Sequence, residues 1–134
     1  MTIHLDTSVL IDVAAKGRPL LPARRVAVSK GHRIGACTPV MYEWLRGPRI
    51  ALDLENQREL CPSDQIVAFG AAEAALAAGL YRRLKNARGR ETDVAIAACA
   101  IEHGAALWTV NPRDFSDIPG LKLYPDVPTS RLRG

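Results

Sequence analysis

Thr2-Ile3-His4-Leu5-Asp6-Thr7-Ser8-Val9-Leu10-Ile11 opens the chain, and its two halves follow different periods. Ile3 and Leu5 alternate with polar neighbours, which predicts a short strand over residues 2–5 running into a turn at Asp6-Thr7-Ser8. From Ser8 to Ala15, Val9, Leu10, Val13 and Ala14 recur at helical spacing, and the pattern stops at Gly17 with Pro19 beyond. A strand, an acid at its carboxyl end and a helix directly after it form the repeating unit of a parallel α/β sheet.

Further along, strands and helices continue to alternate. A helix is expected from about Leu21 to Lys30, then a second strand over Arg33 to Cys37. Thr38-Pro39 reads as a helix start, Thr as the cap and Pro in the first position. That helix ends near Gly47-Pro48, and another runs from about Arg49 to Arg58. Phe69, Ala72, Leu76, Leu80 and Leu84 form a stripe that predicts one long helix from about Gln65 to Lys85. Gly70 and Gly79 inside it each cost about 1 kcal/mol relative to Ala, so close packing is expected there. Thr92 reads as the cap of a helix over 93–103, ended by Gly104. A strand over 105–109, a turn over 111–115 and a short strand over 121–124 follow. The expected fold is α/β, three-layered, with a short central parallel sheet of about four or five strands flanked by helices. One domain is expected over residues 1–128, with a short flexible C-terminal tail at 129–134.

Composition narrows the class. At 134 residues, 48% hydrophobic and 24% charged, the chain excludes disorder, collagen and coiled coil. No uncharged run approaches the ~20 apolar residues that span a bilayer, and Met1 to Asp6 has no basic leader segment. Cys37, Cys61 and Cys99 are odd in number and widely spaced, which predicts reduced thiols and a cytoplasmic location. Net charge is +4, concentrated in two stretches without an acid: Lys16 to Arg33 and Arg82 to Arg90. Such stretches suit a polyanion, nucleic acid first among them. Arg24, Arg25, Arg82, Arg83, Lys85, Arg88 and Arg90 are the candidate phosphate contacts.

Ligands of a parallel sheet bind at the carboxyl ends of its strands. Asp6 closes the first strand, Glu43 lies in the second turn of the helix after the second, Asp93 opens a later helix, and Asn111 and Asp114 follow the third strand. Each has an ordinary role available in a turn, a cap or an exposed helix face. Together they fall near one edge. Two carboxylates ~4–5 Å apart repel by roughly 3–4 kcal/mol at an effective dielectric near 20. Such a cluster holds protons or takes a divalent cation, and an all-oxygen set suits Mg²⁺ or Mn²⁺ over zinc.

Leu5-Asp6-Thr7-Ser8-Val9-Leu10-Ile11, Glu43 within Tyr42-Glu43-Trp44-Leu45-Arg46-Gly47, the block Asp93-Val94-Ala95-Ile96-Ala97-Ala98 and the ending Thr109-Val110-Asn111-Pro112-Arg113-Asp114-Phe115 together resemble the PIN-domain family. The size resembles its VapC-type toxins. The resemblance covers about residues 2–125 and implies a PIN-like fold and Mg²⁺-dependent cleavage of RNA. It implies Asp6, Glu43 and Asp93 as catalytic, metal-binding acids, with Ser8 and Thr109 supporting them. Many members place Asp where this chain has Asn111, so the fourth ligand is Asp114 or a neutral Asn111; Glu91 is a further alternative. The resemblance also implies a VapB-like antitoxin partner, a homodimer and no membrane.

Other chemistries fit poorly. Ser8 replaces the second Asp of a dehalogenase-type phosphatase, and no Gly-Lys-Ser/Thr phosphate loop is present. His4, His32 and His103 lack metal spacing, and Cys37 has no patterned base. The rival reading is a non-catalytic PIN-like protein that binds RNA or a partner. Seven aromatic residues, mostly at expected core positions, make a poor stacking platform for single strands.

Overall fold

Five parallel strands lie in the order β3-β2-β1-β4-β5, with the first strand of the chain at the centre. The structure, a computed structural model, describes residues 1–16 and 21–125. The expected tail at 129–134 and the basic residue Arg18 fall outside the described residues. The strands are β1 (Thr2–Leu5), β2 (Arg33–Cys37), β3 (Ile66–Val67), β4 (Ala106–Trp108) and β5 (Lys122–Leu123). The helices are α1 (Thr7–Lys16), α2 (Leu21–Ser29), α3 (Thr38–Leu45), α4 (Ala51–Leu60), α5 (Ala71–Arg83) and α6 (Glu91–Glu102). The three-layer α/β architecture expected from the alternation is the one observed. No described helix is long and apolar enough to cross a membrane.

Alternation along β1 separates the two layers. Ile3 and Leu5 are fully buried in the main core with Val9, Leu10, Val13, Trp44, Trp108 and Phe115. His4, between them, is also buried, and its ring lies 6.0 Å from that of His103 at the end of α6. Burial pushes the His4 imidazole down to about 4, with the His103 charge acting the same way, so His4 is neutral at physiological pH. Gly35 in β2 is needed for close approach: a Cβ there would stand 2.6 Å from the Gln65 carbonyl oxygen. Gly104 ends α6 at a φ of +64°.

Four local readings are corrected. The expected long helix from Gln65 is a 3₁₀ turn (Ser63–Gln65), then β3, then α5. Ile66 and Val67 are β-branched and pair with Ala36 and Cys37, which outweighs their place in the stripe. Gly70 is therefore the residue before α5, and its amide is capped by Glu73 Oε1 at 3.1 Å. The buried face of α5 is Glu73, Ala77 and Leu80, while Ala72 is exposed. Gly79 has nothing within 4 Å of a Cβ position, so no close packing occurs there. Thr38 is the first residue of α3 and no cap; its hydroxyl accepts the Phe69 amide at 3.1 Å, tying the exit of β3 to α3. Thr92 lies inside α6, whose N-cap position is Arg90. The helix expected from Arg49 starts two residues later, where Asp53 Oδ2 accepts the Ile50 amide at 3.1 Å.

Candidate active site

Asp6 follows β1 directly, and its amide donates to the Trp108 carbonyl at 2.9 Å, which fixes the residue at the rim between β1 and β4. The residue is 6% exposed. Two hydroxyls hold one oxygen of its carboxylate: Ser8 Oγ donates to Oδ2 at 2.7 Å and Thr109 Oγ1 at 2.8 Å. Those hydroxyls are themselves fixed by backbone amides, Val110 to Ser8 Oγ at 3.2 Å and Asn111 to Thr109 Oγ1 at 3.0 Å. Among the described residues nothing bonds Oδ1. The end of β1, the start of α1 and the loop after β4 thus form one polar knot.

Glu43 projects from the second turn of α3 and is half-buried. Thr7 Oγ1 donates to its Oε1 at 2.6 Å. Thr7, absent from the sequence-based set, therefore links Glu43 to the first turn of α1. Its only signal in the sequence is adjacency to Asp6.

Asp93 lies in the first turn of α6, and its carboxyl is pushed up to about 6. Partial burial contributes most, then the negative charges of Asp6, Asp114 and Glu43, while Arg90 opposes them. The other three acids singled out in the sequence thus each bear on Asp93. The four do not close into a ready coordination sphere: among the described residues no three of His, Cys, Asp and Glu form a group that could hold a metal ion. Asp114 and Asn111 are exposed, in and beside the 3₁₀ turn Pro112–Asp114. Glu91 is exposed at the first position of α6. The donor chemistry of this rim, all oxygen with one carboxylate destabilised as an anion, fits a hard divalent cation.

The basic candidates divide in two. Arg25, Arg82, Arg83, Lys85 and Arg88 are exposed, the last four at and just beyond the end of α5. Arg24 is half-buried and donates from Nε to the Leu60 carbonyl at 3.3 Å. Arg90 is engaged by Asp117. Of the aromatic residues, Trp44, Trp108 and Phe115 are core, whereas Tyr42, next to Glu43, is 67% exposed with Arg46 5.4 Å over its ring.

The sheet is parallel throughout the described residues, with Asp6 at its carboxyl rim and Asp93 under the charges of Asp6, Asp114 and Glu43. The chain belongs to the PIN-domain family, whose profile matches residues 3–121. No match emerges among curated protein sequences. Among solved structures it is similar to VapBC2 from Rickettsia felis bound to a DNA fragment from its promoter, with a TM-score of 0.72 and 20% identity over 92% of this chain and 98% of that one. It is also similar to DNA-bound VapBC from Salmonella typhimurium, with a TM-score of 0.76 and 19% identity over 92% of this chain and 97% of that one. VapBC-1 from nontypeable Haemophilus influenzae matches with a TM-score of 0.71 and 19% identity over 92% and 97%. At these identities the likeness is one of fold.

Proposed function

We propose that this PIN domain is a Mg²⁺-dependent endoribonuclease and the toxin of a type II toxin–antitoxin pair. The observation that carries the reading is Asp93, a carboxyl pushed up by partial burial and then by the charges of Asp6, Asp114 and Glu43, at a rim where Asp6 is pinned by two hydroxyls. Asp6, Glu43, Asp93 and Asp114 are the catalytic set that would hold the cation, with Mn²⁺ as a substitute and Asn111 as a neutral alternative to Asp114. A divalent cation bound there polarises a phosphoryl oxygen and acidifies a water for attack on phosphorus. Ser8 and Thr109 hold Asp6 Oδ2, which would leave Oδ1 to bind the cation. Thr7 orients Glu43 through its bond to Oε1. Arg25, Arg82, Arg83, Lys85 and Arg88, all exposed, grip the RNA backbone and offset the negative rim.

The fold neighbours are VapBC proteins, which supports a VapB-like antitoxin as partner. Pairing of two copies and a cytoplasmic location belong to the same reading. The test is cleavage of total RNA, with the new ends mapped, by the parent and by Asp6→Asn and Asp93→Asn. Both variants are expected to lose cleavage while keeping the fold, and EDTA is expected to stop the parent. Cleavage by both variants at the parent's rate, unaffected by EDTA, refutes the nuclease. The second reading, a non-catalytic domain that binds RNA or a partner, is favoured by one observation: the described acids form no closed metal-binding group. RNA binding by the parent without Mg²⁺-dependent cleavage would decide for it.

A further inference from the structure

Arg90 stands outside the acid set yet joins two of its members. Its Nη1 donates to Asp117 Oδ2 at 2.8 Å and its Nη2 to Asp117 Oδ1 at 2.6 Å, a bidentate pair. The same Nη2 donates to the backbone carbonyl of Asp114 at 2.9 Å. Arg90 is also the N-cap residue of α6, and its own carbonyl accepts the Val94 amide at 2.9 Å. One side chain therefore ties the start of the helix that carries Asp93 to the backbone of Asp114.

The tie has something to oppose. The segment from Asn111 to Ile118 is otherwise joined by short-range bonds, Asp114 amide to Asn111, Phe115 amide to Pro112 and Ile118 amide to Phe115, and is seated through Phe115 and Ile118. Asp93 and Asp114 carry like charges that push this turn away from α6. Asp117 supplies the guanidinium with a counter-charge two bonds deep and leaves a third donor position for the Asp114 carbonyl. Lysine carries its donors on one nitrogen and lacks the planar fork that pairs both Asp117 oxygens from two nitrogens.

We infer that Arg90 and Asp117 form a clamp that holds the Asp114 turn against α6 and so positions Asp114 opposite Asp93 for cation binding. The inference rests on the nuclease reading for its purpose, and on the three Arg90 bonds for its existence. Arg90 is a positioning residue, not a phosphate contact.

The experiment compares the parent with Asp117→Asn and, as a second variant, Arg90→Lys. Amide hydrogen exchange over residues 112–118 is measured without metal, and RNA cleavage is measured across a Mn²⁺ titration. Faster exchange in that segment is expected in both variants, with exchange in β1 and β4 unchanged. Half-saturation is expected to need roughly tenfold more Mn²⁺, the usual effect of losing a group that orients a ligand, while the rate at saturating Mn²⁺ stays within about threefold of the parent. Unchanged exchange over 112–118, or an unchanged Mn²⁺ requirement in an active enzyme, overturns the clamp. Faster exchange in the variants of a parent that neither binds Mn²⁺ nor cuts RNA upholds the clamp and removes the nuclease.

Discussion

Asp93 is where the chain holds most tension among its acids. Its carboxyl sits at about 6 against an ordinary 3.8, so the folded protein holds that proton more tightly than the unfolded chain does. Folding is favoured by this proton below about pH 4, and the benefit is lost as pH rises through about 6. The gap corresponds to at most about 3 kcal/mol, which screening at a part-exposed site brings nearer about 1. Without metal, Asp93→Asn is therefore expected to raise the melting temperature at pH 7.5 by a few degrees and to bring little or no gain at pH 4. A thermal melt at both pH values checks this; equal gains at both would exclude charge repulsion as the cause. Asp6 and Asp93 were legible in the sequence because each sits at a boundary marked by its own neighbours, a strand end and a helix start. Of the groups that bond the acids, the family resemblance implies Ser8 and Thr109, and nothing in the sequence marks Thr7. Thr7 reaches Glu43 across 36 residues and Thr109 reaches Asp6 across 103, and no local pattern records such a pairing.

The α5 region shows why element boundaries are harder to read than the acids. Ile66 and Val67 are too few to display a strand period, so a helical stripe absorbs them; only the register against Ala36 and Cys37 reveals a strand. Gly70, which the apolar stripe places inside a helix, is the residue that precedes one. Gly79, by contrast, does lie inside α5, and no neighbour requires it to lack a side chain. Gly79→Ala is expected to stabilise the fold by about 0.5–1 kcal/mol through helix propensity and reduced freedom of the unfolded chain. Urea denaturation with an unchanged slope would register it as a higher midpoint. A lower midpoint would mean that α5 packs more tightly around Gly79 than its open surroundings indicate.

The net charge of +4 has a meaning only once it is distributed. Arg82, Arg83, Lys85 and Arg88 lie just before the helix that carries Asp93, so a basic stretch and one of the acids are adjacent in the chain. If these four neutralise phosphates, replacing them with Gln is expected to flatten the dependence of log K on log salt for single-stranded RNA by up to about 3. A filter-binding series from 50 to 200 mM salt, run with EDTA, measures it; an unchanged slope would place the RNA elsewhere. Topology carries a different consequence. The central strand β1 is made first, but its neighbour β4, Thr109 and the turn bearing Asp114 are encoded more than 100 residues later. Asp6 therefore leaves the ribosome with Ser8 beside it but long before Thr109 exists to hold the same oxygen. A nascent chain that ends before β4 carries Asp6, Glu43 and Asp93 but neither Thr109 nor Asp114. The polar knot around Asp6 therefore closes only once β4 and the loop after it have been made.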